Sequence, residues 1–360
     1  AFGIGLLTRL NQRHFAVQSL VLCPTRELAD QVAKELRRLA RYMDNIKIIT
    51  LCGGVSTGPQ LAGLEHGVHI VVGTPGRVFK HLARGSLDLA HLNTLVLDEA
   101  DRMLDMGFHD AIVDIVQHVP KKRLTLLFSA TYSDAIRDIS ENFQRNAIAV
   151  TVESLHAETH IEQVFFEVQD AARADAVANL LFHYRPESAV LFCNTKQQCD
   201  EITAALRQQG FHARALHGDL DQRQRDQVLV QFGNRSCPVL VATDVAARGL
   251  DIKDLAAVIN VELAFDPEVH IHRIGRTGRA GQTGLALSLC TPREMQRASA
   301  VEDYQQQKLV WQSVPSRDKG AIADEPRMVT ININGGRKDK LRPGDILGAL
   351  TGDGGIAGTA

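Results

Sequence analysis

The sequence predicts an α/β protein in which two similar domains follow one another, each built on a largely parallel sheet. Apolar, strand-like runs alternate with amphipathic helical segments throughout residues 1–291, which is the pattern of parallel α/β domains. An internal repeat supports two copies, since Leu20–Val32 resembles Val190–Ile202 and Val71–Thr74 resembles Leu240–Thr243. The threonines that follow these strands stand 49 residues apart in the first half and 48 in the second, which indicates a duplicated domain.

The domain boundaries follow from the spacing of the strand-like runs. We expect a first domain at residues 1–152, a polar linker at 153–160, a second domain at 161–291, a connector at 292–326 and a partial third domain at 327–360. The strands expected in the first domain are 19–23, 46–51, 68–73, 93–98, 123–128 and 147–152. Those expected in the second domain are 161–168, 188–193, 212–216, 238–243, 257–262 and 284–290.

Helices are expected between these strands. After Thr25, apolar residues recur with a helical period at Leu28, Val32, Leu36 and Leu39. A second helix is expected at Asp105–Val119, and the connector should contain a helix and a flexible stretch. In the third element, the alternating run Met328–Ile333 predicts a strand, and Ile346–Leu350 predicts a helix. Residues 1–7 resemble a helix interior without a cap, and the end completes no element, so we expect a fragment of a longer protein.

Composition narrows the class of protein. The net charge is −2, so any site for a polyanion must be local rather than a property of the whole surface. The six cysteines fall mostly in apolar runs and have neither zinc-site nor disulfide-framework spacing, which favours a reducing, cytoplasmic compartment. No apolar run reaches transmembrane length and no signal peptide is present, so we expect no membrane partner.

The tetrapeptide Asp98–Asp101 directly follows the apolar run Leu95–Leu97. In a parallel sheet, this places carboxylates at the carboxyl edge, where open α/β sheets bind ligands. An acid in this position can hold Mg²⁺ on nucleotide phosphates, and the next carboxylate can orient an attacking water. The alternative is a solvated acidic turn.

Two further segments carry side chains suited to phosphate chemistry. Glycines separate the guanidinium groups in Gly275–Arg279, which can reach a phosphoryl group and neutralise charge on the leaving phosphate. The alternative is a surface basic loop or a phosphate contact to RNA. In Ser129–Thr131, the hydroxyl groups are placed to bond Asp101, although a helix N-cap is the simpler explanation.

Small polar residues, glycines and arginines cluster where strands of both domains end. They suit the sugar–phosphate backbone of a nucleic acid without reading bases. Singly, each is equally consistent with a turn or cap, but their matched placement indicates one strand crossing both domains. Aromatic residues make up only 5% of the chain, so base stacking is not the main contact. The candidate nucleic-acid-binding residues are Pro24, Thr25, Arg26, Gly53, Gly54, Thr74, Pro75, Gly76, Arg77, Asn194, Thr195, Gln222, Arg225 and Thr243.

These segments together resemble the DEAD-box RNA helicases of superfamily 2, over residues 1–291. The matching motifs, in the family's order, are PTREL, GG, TPGR, DEAD, SAT, LFCNT, QRQR, ATDVAARGLD and HRIGRTGR. Residues 98–108 and the segment from Met328 also look like the bacterial DbpA branch. The resemblance implies two tandem RecA-like domains and a truncated, RRM-like carboxyl-terminal element that targets large-subunit ribosomal RNA.

The resemblance also assigns roles to particular residues. It implies that Asp98 and Glu99 hold Mg²⁺ through water, and that Glu99 orients the hydrolytic water. Arg276 and Arg279 would be arginine fingers, while Gly249 and Asp251 would contact the ribose and phosphates of ATP. The residues implied to couple nucleotide state to RNA binding are Asp101, Ser129, Thr131 and His272.

The implied activity is an ATP-dependent cycle that parts short RNA duplexes, carried out by a monomer during large-subunit assembly. The family's glutamine motif and Gly-rich Lys–Thr phosphate loop should precede residue 1, and neither occurs in these residues. We therefore expect the chain as given to hydrolyse ATP poorly or not at all. Two alternatives stay open: a non-catalytic RNA-binding clamp and a superfamily 2 DNA translocase.

Overall fold

The structure, a computed structural model, describes residues 2–151, 161–247, 255–278, 283–318, 320–333 and 335–355. These residues form two parallel sheets with helices packed on their faces. The strands of the first sheet are β1 (Ser19–Leu22), β2 (Ile48–Leu51), β3 (Ile70–Gly73), β4 (Thr94–Leu97) and β5 (Leu124–Leu127). Those of the second are β6 (Ile161–Glu167), β7 (Ala189–Cys193), β8 (Ala213–Leu216), β9 (Val239–Thr243), β10 (Ala257–Asn260), β11 (Gly284–Cys290) and β12 (Trp311–Gln312).

Helices alternate with these strands, as expected for parallel connections. In the first half they are α1 (Phe2–Thr8), α2 (Arg26–Leu39), α3 (Gly58–Glu65), α4 (Pro75–Ala83), α5 (Ala100–Asp105), α6 (His109–Gln117) and α7 (Asp134–Phe143). In the remainder they are α8 (Arg173–Tyr184), α9 (Lys196–Gln208), α10 (Gln222–Gly233), α11 (Asp244–Ala247), α12 (Pro267–Ile274), α13 (Met295–Gln305) and α14 (Pro343–Thr351).

The order of strands shows the duplication directly. The first sheet has the order β2-β3-β1-β4-β5, and the second contains β8-β9-β7-β10-β11, the same arrangement in the repeated units. The registers correspond as well, since Leu20 pairs with Val71 and Val190 pairs with Leu240. The second sheet continues beyond β11 with β6 and β12. Every strand pairing among the described residues is parallel, as the sequence predicts.

Burial explains why the strands form where they do. All four residues of β1, β3 and β4 are buried, so these strands are apolar on both faces and are covered by helices on both sides. The helix α2 buries Val32 and Leu36, while Leu39, expected on the same face, is 42% exposed at the end of the helix.

Three expected elements differ from the structure. Residues 147–151 form no strand; Ile148 and Val150 are 88% and 82% exposed, because β propensity alone does not stabilise a strand without a paired edge. The helix expected at Asp105–Val119 is shorter: it is α6, His109–Gln117, while Asp105 is the last residue of α5 and Gly107, with a positive φ of 75°, lies between the two helices. Residues 328–333 do not form the expected strand; the hydroxyl of Thr330 bonds side chains of Asn234 and Ser236 instead.

The connector, residues 292–326, packs against the second domain. The amide of Phe165 donates to Val310 O at 2.8 Å, where β12 pairs with β6. Further along, Arg317 lies over the ring of Phe182 at 4.1 Å, and Ala323 is buried in the core of that domain. The linker expected at 153–160 lies outside the described residues. Within the described ranges, no helix combines the length and apolarity that crossing a bilayer requires.

Candidate nucleotide and RNA site

The predicted motifs of the first half meet at the carboxyl edge of the first sheet because β1, β3 and β4 are neighbours. The amide of Asp98 donates to Leu22 O at 3.0 Å, which places the acidic turn beside Pro24 and Thr25. On the other side of β1, the amide of Cys23 donates to Gly73 O at 2.9 Å. The sheet order therefore places three segments, remote in sequence, along one edge.

The acidic turn departs sharply from the strand. Glu99 adopts a left-handed conformation, with φ 51° and ψ 55°, and directly precedes α5. The amide of Ala100 donates to Phe128 O at 2.9 Å, which ties the turn to the end of β5. Burial raises the pKa of Asp98 to about 6, and the charge of Glu99 contributes to the same rise. A carboxylate pair held in this way costs free energy unless a cation accompanies it.

The carboxyl groups of Asp98 and Glu99 fit a magnesium ion. Mg²⁺ is usually held by one or two carboxylates together with water and substrate phosphates, rather than by a full protein cage. A divalent cation would relieve the repulsion that helps to raise the pKa of Asp98. When bound, Mg²⁺ would supply positive charge to the nucleotide phosphates.

The segment Ser129–Thr131 contacts Asp101 through its backbone rather than through a hydroxyl group. The amide of Ala130 donates to Asp101 Oδ2 at 3.2 Å. Ser129 Oγ is buried and has no hydrogen-bond partner among the described residues, and Ser133 rather than Ser129 caps α7. The predicted connection between this segment and Asp101 therefore exists, but the backbone makes it.

The candidate phosphate-binding loops of the first half are held by local hydrogen bonds. Thr25 caps α2 by accepting from the amide of Leu28 at 3.3 Å. Arg77 does not point away from the protein: its guanidinium donates to Gln60 Oε1 at 2.8 Å and to Val55 O at 3.1 Å. Arg77 thus supports the loop that carries Gly53 and Gly54, and the amides of that loop are the groups available to a phosphate.

In the second half, Arg273 connects the corresponding loops. Its side chain is buried and donates to both carboxylate oxygens of Asp244, each at 2.7 Å, and to Asn194 Oδ1 at 2.8 Å. Asn194 follows β7 and Asp244 follows β9, so the arginine of α12 fixes the ends of two adjacent strands. Thr195 caps α9 just as Thr25 caps α2, which extends the repeat to the candidate site.

Contacts between the two halves occur at this same edge. Arg225 donates to Glu27 Oε1 at 3.0 Å, and both side chains are largely buried. Arg26 lies 3.9 Å from Asp226, and a Cβ atom added to Gly54 would lie 3.2 Å from Gln222 Oε1. The two predicted RNA-contacting surfaces are therefore adjacent, as one strand crossing both domains requires.

The predicted coupling residue His272 also lies between the halves, where its Nδ1 contacts the guanidinium of Arg102. Arg276 follows α12, and its carbonyl accepts from the amide of Leu255 at 3.3 Å. Arg102 comes directly after Asp101, so α5 and α12 meet at the candidate nucleotide site. Arg279, Gly249 and Asp251, which are predicted to bind ATP, lie outside the described residues.

Several residues that organise this site are not evident from the sequence. Arg273, Glu27, Arg102 and Gln60 all make contacts with residues far away along the chain. Arg273 and Glu27 occur within recognised motifs, which indicates only weakly that they organise the site. For Gln60 no local pattern exists, since a glutamine on a short helix is usually solvated.

Comparisons with known proteins agree with this geometry. The family model of the DEAD/DEAH box helicases matches residues 1–139, the helicase conserved C-terminal domain matches 172–281, and the DbpA RNA binding domain matches 330–360. Among solved structures, Saccharomyces cerevisiae Dbp5 bound to RNA and ADP BeF3 is similar, with a TM-score of 0.79 and 29% identity. That match covers 87% of this chain and 82% of the yeast chain.

Two curated relatives identify the family, and the first of them identifies the branch. The chain is 56% identical over 358 residues to the ATP-dependent RNA helicase DbpA of Escherichia coli strain K12, covering 99% of this chain and 78% of the relative. It is 43% identical to the DEAD-box ATP-dependent RNA helicase CshA of Geobacillus kaustophilus, covering 89% and 68% respectively. Because the chain is 56% identical to the Escherichia coli protein over nearly its whole length, it belongs to the DEAD-box ATP-dependent RNA helicases, in the DbpA branch of the family.

Proposed function

We propose that the two halves close together on ATP, Mg²⁺ and one strand of RNA, and that closure parts short duplexes locally. The observation that carries this proposal is the meeting of the two motif-bearing edges, where Glu27 contacts Arg225 and Arg102 contacts His272. Neither half alone presents a complete set of predicted nucleotide and RNA contacts. Binding energy from RNA can therefore favour the same closed arrangement that completes the nucleotide site.

In this arrangement, Asp98 and Glu99 would hold Mg²⁺, and Glu99 would orient the attacking water. Arg276 and Arg279 would stabilise the charge that develops on the transferred phosphoryl group. Asp101, Ser129, Thr131 and His272 would transmit nucleotide state to the RNA-facing loops. The hydrogen bond from the Ala130 amide to Asp101 supports the first part of that route.

We further propose that the RNA is large-subunit ribosomal RNA and that the protein acts as a cytoplasmic monomer in ribosome assembly. The match of residues 330–360 to the DbpA RNA binding domain supports a dedicated RNA-targeting element. All six cysteines are free and buried, which suits a reducing compartment.

For the 360 residues on their own, we propose weak or absent ATP hydrolysis. The amides and lysine of a Gly-rich Lys–Thr loop cradle the β- and γ-phosphates in proteins of this kind, and no such loop occurs in this sequence. Without ATP hydrolysis, the chain would act as an RNA-binding clamp, which is the second candidate function.

The experiment that separates the two candidates is RNA-stimulated ATP hydrolysis. It would compare the chain with the same chain preceded by a segment carrying a glutamine motif and a Gly-rich Lys–Thr loop. We expect turnover only in the extended protein, and we expect Glu99→Gln to abolish it while preserving RNA binding. If the extended protein binds RNA and is inert, the clamp assignment is correct. Equal stimulation by single-stranded DNA would instead support a DNA translocase, because 2′-hydroxyl contacts distinguish RNA from DNA.

A further inference from the structure

A cleft of about 430 Å³ lies in the first domain, at the opposite end of the sheet from the motifs. Its walls come from the end of α6, the start of β5 and the end of α7, and we call it the basic cleft. The helix α6 begins beside Phe108, whose ring lies 4.0 Å from the position of a Cβ on Gly76, and ends in the wall of the cleft. A nine-residue helix is about 14 Å long, so the cleft is distinct from the candidate site.

Positive charge is concentrated in the lining of this cleft. Lys121, Arg123 and Arg145 line it, and Lys122 is adjacent in sequence. None of the residues that line the cleft is acidic. In the described part of the chain, none of these four cations takes part in an ion pair, whereas Arg26, Arg225 and Arg273 each have a carboxylate partner. A local concentration of cations stands out in a chain whose net charge is −2.

The guanidinium of Arg123 is fixed in place by neutral acceptors. It donates to Thr125 Oγ1 at 3.1 Å, to Pro120 O at 2.9 Å and to Phe143 O at 3.3 Å. These oxygens hold the side chain but leave its charge uncompensated, and two of its five N–H groups stay available. Burial and the nearby charge of Arg145 lower the pKa of Arg123, as expected of a cation that lacks a counter-ion.

The remainder of the lining is apolar and includes Val113, Val116, Val119 and Phe143. A ligand that satisfies both parts must carry negative charge beside a flat or apolar group. A nucleotide within RNA has this chemistry, with a phosphate for the cations and a base for the apolar surface. RNA is also the polyanion that the helicase family binds, so an acidic protein segment is the less favoured occupant.

We propose that the basic cleft is an auxiliary RNA site, which binds a phosphate and the adjoining nucleotide of RNA that extends beyond the strand-binding edge. The site rests on the proposed RNA-binding function and enlarges the surface on which a long or structured RNA is held. It contributes affinity without reading sequence, because its polar contacts are to phosphate.

The test compares the unaltered chain with the charge-reversed variant Lys121→Glu/Lys122→Glu, with Arg145→Glu as a second variant at another wall. All three positions are exposed, so we expect the thermal unfolding midpoint to stay unchanged. The matched control is Lys34→Glu/Arg38→Glu, the same change of charge on the exposed face of α2. Affinity would be measured at several salt concentrations, for an RNA just long enough to cross the two domains and for a longer single strand.

We expect the Lys121/Lys122 variant to bind the longer RNA several-fold more weakly and to show a salt slope smaller by about 0.7, the contribution of the one phosphate of a single strand that the cleft binds. Binding of the short RNA, and both affinities of the control, should stay unchanged. Equal losses for short and long RNA, or no loss at all, would overturn the proposal. Polyglutamate serves as a model of an acidic protein segment. If the Lys121/Lys122 variant lost affinity for polyglutamate but kept its full affinity for RNA, the cleft would be assigned to an acidic protein instead. If the unaltered chain binds neither the short nor the long RNA, the proposed RNA-binding function itself is wrong, and the auxiliary site is wrong with it.

Discussion

At the scale of single residues, the most constrained side chain is that of Arg273. It is 2% exposed, and its guanidinium serves Asp244, Asn194 and the carbonyl of Glu262 together. Removing one partner from a buried ion pair leaves the other charge uncompensated. The network therefore holds three strand ends and α12 in one arrangement.

We predict that Arg273→Gln lowers the free energy of unfolding by about 3–5 kcal/mol, the range found when a buried ion pair loses one partner. Arg273→Lys should recover part of this loss, because lysine keeps the charge but cannot bind both oxygens of Asp244. Urea unfolding of the three proteins measures both effects. A loss below about 1 kcal/mol for Arg273→Gln would show that the network is not needed for stability.

His270 gives a prediction about acid stability. It is fully buried beside Phe165, and both ring nitrogens lack hydrogen-bond partners among the described residues. Burial, together with the charge of Arg273, lowers its pKa from 6.5 to about 3. The unfolded chain therefore gains a proton below pH 6.5 that the folded chain does not accept, and stability falls as the pH drops from 6.5 towards 3.

We expect His270→Phe to remove this part of the acid sensitivity. At pH 5 the difference of 1.5 pH units corresponds to about 2 kcal/mol in favour of the variant, and at pH 8 it should vanish apart from packing effects. Urea unfolding at both pH values is the measurement, with the exposed His183→Phe as control. An identical pH dependence for His270→Phe and the unaltered chain would contradict the assignment.

At the scale of elements, the space around two glycines shows which of them is needed for packing and which is open to a ligand. A Cβ at Gly73 would lie 2.5 Å from Leu51 O in the neighbouring strand β2 and 2.8 Å from Val78 Cγ2 in α4. A Cβ at Gly53 would have no atom within 4 Å. The first glycine is thus required by the packing of β2, β3 and α4, whereas the second is available to a ligand.

We predict that Gly73→Ala destabilises the chain by about 2–3 kcal/mol through overpacking, while Gly53→Ala stays within about 0.5 kcal/mol of the unaltered chain. If Gly53 approaches the RNA backbone as predicted, Gly53→Ala should still weaken RNA binding. Thermal unfolding and an RNA-binding titration test the two statements separately. Comparable stability of the two variants would show that the sheet can adjust around Gly73.

The elements that the sequence predicts well are those with a strong period and a buried environment. The central strands begin and end within about two residues of the expected positions, because turn residues bound each apolar run. The failures have physical causes that local patterns do not contain. The run 147–152 has strand propensity but finds no paired edge in residues 147–151, and the turn at Gly107 delays the helix expected from Asp105 until His109.

At the scale of the whole molecule, the duplicated sheet order is predictable because the two halves repeat the same sequence pattern. The sequence does not predict which residues of the two halves contact each other. Arg225 and Glu27 are 198 residues apart, and Arg102 and His272 are 170 apart, so no periodicity relates them. Likewise, the backbone amide of Ala130, which bonds Asp101, carries no sequence signal. Motifs thus predict which loops form the site, and the fold decides which atoms meet.

The contact between Glu27 and Arg225 supports a prediction about domain closure. The two atoms are 3.0 Å apart and the side chains are only 13% and 16% exposed, so the pair is shielded from water and salt. We predict that Glu27→Arg and Arg225→Glu each shift the population away from the closed arrangement. The double variant should restore it in part, with a coupling energy of about 0.5–3 kcal/mol.

Closure can be followed by energy transfer between dyes at Lys34→Cys and Ala204→Cys, one exposed position in each half. Selective labelling is feasible because all six natural cysteines are buried. The control pair is Lys196→Glu/Asp219→Lys, an exposed ion pair within the second half, whose reversal should leave the transfer efficiency unchanged. If the swapped Glu27/Arg225 protein were as open as either single variant, the ion pair would be a consequence of closure and not one of its causes.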